Sequence, residues 1–424
     1  MALLLDLTPL REHAAYRRLF TGYALANIGA QLTVVAAGLQ VYALTHSTAA
    51  VGLVGLFALV PLVVMGLYGG ALIDHHDRRI VGVLAQTVMW SATLALLGQA
   101  LMGNTHVGVL YLTVAVSSGA FAIASPARSS IYPRILPREQ LPAANALSVF
   151  AMNIALTVGP LLAGFLIGWF GFKAAYAVDA LLTTAALLGL ASLPPVPPEP
   201  SADGLARVSG LRAVWDGLTF LGTRPNVRMT FVADIIAMML AAPRVLFPAA
   251  GAVFLGGGSR TVGYLYAASA VGGIVAMVLS GPLGRVRRQG LAILVSIVGW
   301  GVGVAGLGVA LLLSEGHVAR GVALWVALAA MFLAGGCDSV SAVFRQTILQ
   351  AATPDHLRGR LQGVFIVVVA GGPRLGDLLA GGASSRLGEP HTALFGGILC
   401  VAAIVAVGFW QRGFVRYDAH DPTA

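Results

Sequence analysis

Charge is scarce in this chain. Of its 424 residues only 10% are Asp, Glu, Lys or Arg, while 58% are hydrophobic and the mean hydropathy is +0.85. Ordinary soluble domains are excluded by that balance, and a membrane protein is indicated. Lysine is almost missing: the one lysine, Lys173, follows Phe172 and not a glycine, so no phosphate-binding P-loop is present. Neither H-E-x-x-H nor G-x-S-x-G occurs, which weakens a membrane hydrolase reading without excluding one; no enzyme is expected, and a membrane enzyme or non-transporting receptor stands as the alternative of a different class. The two cysteines, Cys337 and Cys400, sit in apolar segments, so neither a disulfide framework nor a Cys-based metal site is expected, and no cofactor is implied. Histidines fall in loops or at the ends of apolar stretches, so any proton held within the membrane must sit on a carboxylate. The formal charge is +9, but the basic residues lie in short breaks between apolar stretches and form no basic face, so nucleic acid is not an expected partner.

What is abundant is apolar sequence in lengths that suit a bilayer. About twelve stretches of roughly 20 residues can cross it. They begin near Leu19, Ala50, Ile80, Val107, Leu141, Phe172, Val227, Thr261, Leu291, Gly321, Leu361 and Thr392. The 53 glycines suit close helix packing in lipid. The N-terminal segment puts a short apolar start before its charges, the reverse of a cleaved signal peptide, and is expected to be retained at the membrane surface. Arginines such as Arg17, Arg78, Arg134, Arg228, Arg287 and Arg358 fall on one side of an even-span arrangement, against Lys173, Arg260, Arg320 and Arg386 on the other. By the positive-inside rule both termini are then cytoplasmic, in the plasma (inner) membrane.

The proline-rich stretch "LPPVPPEPSADGLARVSGLRAVWDGLTFLGTRPN" marks a change of composition. It divides the chain into 1–193, a linker 194–226 and 227–424. In the linker Leu211, Trp215, Leu218 and Leu221 recur at helical spacing, as an interfacial amphipathic helix would. The two halves echo each other: "RSSIYPRILPREQLPAANAL" with "RQTILQAATPDHLRGRLQGV", and "GPLLAG" with "GPRLGDLLAG". The expected fold is therefore all-α, about 12 transmembrane helices in two pseudo-symmetric six-helix bundles. Such repeats let one half rock against the other around a central site.

Gly70, Leu72, Asp74, Arg78 and Arg79 in "YGGALIDHHDRRI" resemble the signature loop of the major facilitator superfamily, with Asp77 where glycine is usual. "THSTAAVGL", "RVLFPA", "VGYLYAA" and "LQAATPDHLRGRLQG" are similar to stretches of the enterobactin exporter subfamily and of related macrolide and multidrug efflux proteins. That resemblance implies a secondary-active exporter of a siderophore-like or other amphiphilic small molecule, working by alternating access with protons as the counter-ion, in the lipid bilayer and as a monomer. Broad multidrug efflux is the alternative. It further implies a cytoplasmic latch around Gly70, Asp74, Arg78, Arg79 and Arg128, with Arg128 the partner of Asp74. A plain topological role for Arg78 and Arg79 stands beside it. "AxxxGPxxAG", with Gly159, Pro160 and Gly164, resembles a degenerate antiporter motif.

Polar residues inside apolar spans carry the remaining candidates, since burial in lipid is costly. Asp234, Asp338, Asp377 and Asp179 are candidate proton carriers. Asp234 ranks first because no basic residue lies within a turn of it, whereas Asp377 is one turn from Arg374 and Asp338 two turns from Arg345. Arg244 and Arg374 each stand beside a proline, where a loosened helix lets a guanidinium face a cavity. Asn27 and Gln31, four residues apart, are candidates for the same cavity or for interhelical hydrogen bonding.

Overall fold

The computed structural model describes residues 6–103, 105–197, 219, 221–279, 281, 286–316, 319–351 and 355–418; of 67–71, 73–75, 350–351 and 355–370 it describes the backbone alone. Among these residues the chain is helical, without a sheet; an isolated bridge joins Arg288 and Asp418. After a short helix at Thr8–Glu12, the long helices are α1 (Ala14–Thr45), α2 (Thr48–His75), α3 (Arg78–Leu101) and α4 (Val107–Ile135). Leu141–Ala191 then runs for 51 residues and is broken at Gly171, whose φ of 76° and ψ of −178° are not helical. We label its two parts α5 (141–170) and α6 (172–191). Only glycine takes that φ without strain, and it turns one apolar run into two crossings. The second half of the chain forms α7 (Pro225–Leu240), α8 (Ser259–Val278), α9 (Gln289–Glu315), α10 (Arg320–Ala351), α11 (Asp355–Leu387) and α12 (Glu389–Trp410).

Ten stretches are long and apolar enough to cross a membrane among the described residues, with 138–191, broken at Gly171, counted once. A 24-residue helix such as α3 spans about 36 Å, enough for a hydrocarbon core of about 30 Å. Large apolar side chains face outward along these helices: Leu181, Trp325 and Phe409 are each more than 70% exposed. In water such surfaces would aggregate, whereas lipid solvates them.

Two compact units are present, Met1–Leu44 with Phe57–Gly210, and Thr45–Leu56 with Leu211–Ala424. In unit 1 the helices approach through small residues, since a Cβ on Gly22 of α1 would stand 2.7 Å from the Ala186 Cα of α6. A core of Tyr16, Leu19, Ile131, Tyr132, Leu147 and Leu190 closes one end of the unit. Its polar tips are satisfied: the Tyr16 hydroxyl donates to Ala144 O at 3.2 Å, and Tyr132 and Ser148 share a hydrogen bond of 3.2 Å. In unit 2, α9 packs on α10 and α12, α8 on α10, and α7 on α11. The first turns of α2 belong to this unit, where Gly52 and Gly55 lie against the backbone of Asp377 and Arg374.

Candidate functional site

The span that begins with α7 is interrupted in mid-course. After Leu240 the chain passes through Pro243, a 3-10 turn at Arg244–Leu246, one helical turn at Phe247–Ala249 and a π-helical turn at Ala250–Phe254. A proline in a helix removes one backbone donor and frees carbonyls. One of them, Ala241 O, is taken by the Trp300 indole N–H at 3.1 Å. The break leaves Arg244 exposed, while Val245, Leu246 and Phe247 around it are buried.

Around this break unit 2 gathers a chain of charges. Arg345 on α10 forms an ion pair with Asp234 on α7, with side chains 9% and 7% exposed. The same guanidinium reaches Asp338, one face along α10, at 3.6 Å through Nη2. The lack of a basic residue within a turn of Asp234 on its own helix thus does not leave it unpartnered. Its cation comes from another helix, where no spacing within its own span reveals it. Arg244 acts electrostatically on both Asp338 and Asp377, and Arg374 on Asp377. No hydrogen bond or ion pair joins Arg374 to Asp377 among the described residues, and Arg374 Nη1 is buried without a hydrogen-bond partner there. Tyr266 of α8 lies within reach of the same charges and packs edge-to-face on Phe247, with centroids 4.9 Å apart. Arg244, Arg345 and Arg374 stand against Asp234, Asp338 and Asp377, three cations to three anions, so the ionised cluster is neutral.

Unit 1 holds the other candidates. Asp179 on α6 is 2% exposed and meets three hydroxyls: Thr33 on α1 donates to Oδ2 at 2.6 Å, Thr93 on α3 to Oδ2 at 3.1 Å, and Thr183 to Oδ1 at 3.0 Å. Next to it Tyr176 donates to Gln40 Oε1 at 2.7 Å, and Gln40 and Gln99 exchange amide bonds at 3.2 and 3.0 Å. A cavity of about 40 Å³ is lined by Tyr23, Asn27, Ala30, Gln86 and Arg128, among others. The Arg128 guanidinium lies 3.7 Å above the Tyr23 ring, a cation–π contact. Asn27 and Gln31 have different neighbours. Asn27 lines the cavity and donates to Tyr23 O at 2.9 Å, whereas Gln31 packs against Gly159 on α5. Gly159 of the antiporter-like motif lets α5 approach the α1 backbone at Ile28 and Leu32, and Pro160 and Gly164 are buried beside it.

The polar turn before α3 has work that its spacing did not announce. Asp77 is the N-cap of α3, its Oδ1 accepting the Arg79 N–H at 2.8 Å, and its carboxylate also takes the Val196 N–H at 3.1 Å. Arg78 N–H donates to Val196 O at 3.0 Å and its Nη1 to Ser130 O at 3.2 Å. Arg79 Nη2 donates to Ala191 O, the last residue of α6, where a helix C-terminus favours a cation. The side chains of Gly70's neighbours and of Asp74 lie outside the described residues, as do Leu211, Trp215 and Leu218 of the linker.

A family model described as transmembrane secretion effector matches residues 5–420. The chain is 28% identical over 429 aligned residues to the enterobactin exporter EntS of Escherichia coli, across 99% of this chain and 98% of that one. It is likewise 28% identical over 388 residues to the EntS of Shigella boydii, across 91% and 88%. Among solved structures it is similar to the nucleoside transporter NupG, with TM-score 0.67 and 14% identity over 95% of this chain and 100% of that one. A D-xylose-proton symporter gives TM-score 0.68 and 14% identity over 93% and 97%. At such identities the solved structures speak for the fold alone.

Proposed function

The chain belongs to the transmembrane secretion effector family of major facilitator exporters, and from that premise we propose that it carries a siderophore-like amphiphile out of the cytoplasm in exchange for protons. It is a multi-pass membrane transporter and not an enzyme. In this reading residues 1–193 and 227–424 are the two six-helix halves joined by the linker 194–226, both termini are cytoplasmic, and the protein works as a monomer by alternating access.

The observation that carries the reading is the balanced cluster in unit 2. Six ionised groups that sum to zero attract neither a free anion nor a free cation over distance. They suit a neutral molecule rich in hydrogen-bond donors and acceptors. A metal-free catechol siderophore is one, because phenolic hydroxyls ionise near pH 10 and remain donors at neutral pH. Its hydroxyls donate to the Asp338 and Asp377 carboxylates, while Arg244 and Arg374 donate to its carbonyl and phenolic oxygens. A proton arriving on Asp338 or Asp377 removes the acceptor that the catechol needs. Proton and substrate then compete for one group, which is the condition for antiport.

The arrangement divides the labour among the acids. Asp234, held by Arg345, keeps that guanidinium in place, and Asp338, with 36% of its side chain exposed, is the member open to exchange. Reconstituted Asp338→Asn and Asp377→Asn proteins are expected to keep substrate exchange and lose accumulation driven by a pH gradient. Full pH-driven accumulation in both variants would remove unit 2 from the coupling. For the loop before α3, Asp74 and Arg128 are the proposed latch pair, whereas Arg78 and Arg79 brace the ends of α4 and α6 within unit 1.

A further inference from the structure

Asp179 has no part in the exchange proposed for unit 2, yet it is the most enclosed acid described in unit 1. A bare carboxylate in a membrane interior is costly unless it is met by a cation or by several donors. Here the described partners are three threonine hydroxyls from three helices, and no cation is among them. The charged or titratable groups that face this region are few. Tyr176 lies on its own helix with its hydroxyl committed to Gln40, α1 and α3 contribute Thr33 and Thr93, and Arg128 of α4 lines the neighbouring cavity.

That cavity lies one turn from the threonines on each of the same three helices. Ala30, Met89 and Ala186 line it, and Thr33 and Thr93 follow the first two by three and four positions on α1 and α3, while Thr183 precedes Ala186 by three on α6. One turn of helix is about 5.4 Å. The cavity is polar: Gln86, 9% exposed, lines it, and its buried Nε2 has no hydrogen-bond partner among the described residues. An unmet amide donor beside Asn27 and a guanidinium calls for water, and about 40 Å³ accommodates a few molecules. Asp179 itself leaves no room for a larger guest. A Cβ on Gly29 would collide with Oδ1, and the remaining approaches are taken by the hydroxyls.

We infer that Asp179 is a second proton-binding site of this protein, separate from the unit 2 cluster and fed by water in the cavity lined by Asn27, Gln86 and Arg128. A cavity hydronium gives its proton to the carboxylate, forming one O–H bond and leaving water, and release reverses the step. Threonine hydroxyls both donate and accept, so Thr33, Thr93 and Thr183 bridge the single turn between cavity and carboxyl. As helical threonines they also have a local alternative, the carbonyl four residues back, to which they turn when the carboxyl becomes a donor. A proton is the only cation the packing admits.

The test needs no substrate, so its failure and the failure of the export reading are separable. Infrared difference spectra of the purified protein in lipid, recorded across pH, report protonated carboxyl groups by their C=O stretch. One band that rises on acidification and shifts in heavy water is expected to be lost in Asp179→Asn and kept in Asp234→Asn. Gln86→Leu is expected to slow its hydrogen–deuterium exchange while leaving its amplitude unchanged. If Asp179→Asn does not fold, Thr93→Val and Thr183→Val retain the carboxyl, and each is expected to move the pH midpoint of the band. A band that survives Asp179→Asn, or a midpoint unmoved in both threonine variants, would overturn the assignment and make Asp179 a fixed hydrogen-bond hub.

Discussion

Arg345 is the residue on which most of the buried charge in unit 2 depends, since both Asp234 and Asp338 use its guanidinium. Removing one member of a buried pair costs about 3–5 kcal/mol, whereas removing both together is often close to neutral. Arg345→Met is therefore expected to lower stability by about that amount in thermal unfolding in lipid nanodiscs. Asp234→Asn should cost less, because Arg345 turns to Asp338. The double variant Asp234→Asn with Arg345→Met is expected to recover most of the loss, and simple additivity of the two single losses would show the pair to be independent. None of this was legible in the spacing that ranked Asp234 first. Its partner stands on another helix, and a lone sequence shows only neighbours along one helix. The three hydroxyls at Asp179 were hidden for the same reason, although an aspartate inside an apolar run did mark the position. Gly29 makes a second check at this size. Its hydrogen faces the Asp179 carboxylate, so Gly29→Ala overpacks the contact and is expected to destabilise unit 1 by about 1–3 kcal/mol, whereas Gly98→Ala, with open space around it, is expected to be neutral.

At the level of single helices, the turn from His76 to Ile80 is more structural than its resemblance implied. Asp77 caps α3 and clamps Val196 beyond the end of α6, and the two arginines bind carbonyl oxygens of Ser130 and Ala191. Asp77→Ala is expected to cost about 0.5–2 kcal/mol, the range for a lost N-cap. Hydrogen exchange at the Arg79 and Val196 amides should accelerate together, and acceleration at Arg79 alone would disconnect the clamp from the cap. The helix boundaries themselves were largely readable, because apolar runs of bilayer length and their polar breaks lie in the sequence without any need for tertiary context. The break at Gly171 falls where one expected span ends and the next begins near Phe172. The interruption at Pro243 was signalled by "APRVLFP", but its consequence, an exposed Arg244 with Trp300 holding the freed Ala241 carbonyl, depends on α9. Trp300→Phe is expected to leave that carbonyl unmet and reduce transport more than it reduces folding yield.

For the molecule as a whole, family and helical membrane architecture were legible because motif loops and apolar runs of bilayer length stand in the sequence itself, and the family match spans residues 5–420. Substrate chemistry was not, because the sign of a cavity depends on pairing. Counting Arg244 and Arg374 alone favours an anion, whereas the full cluster, with Arg345 and its acids, sums to zero and favours a neutral donor-rich amphiphile. Proton-driven export of such a compound is best examined in inverted membrane vesicles carrying the protein, with a pH gradient imposed, acidic inside. Uptake of a metal-free catechol siderophore is compared there with uptake of a lipophilic dye cation. Catechol accumulation that collapses with the gradient and is lost in Asp338→Asn with Asp377→Asn, beside little dye uptake, is the expected result. Robust dye uptake that survives Arg244→Ala, with no accumulation of the catechol, would contradict the account and assign the protein to multidrug efflux.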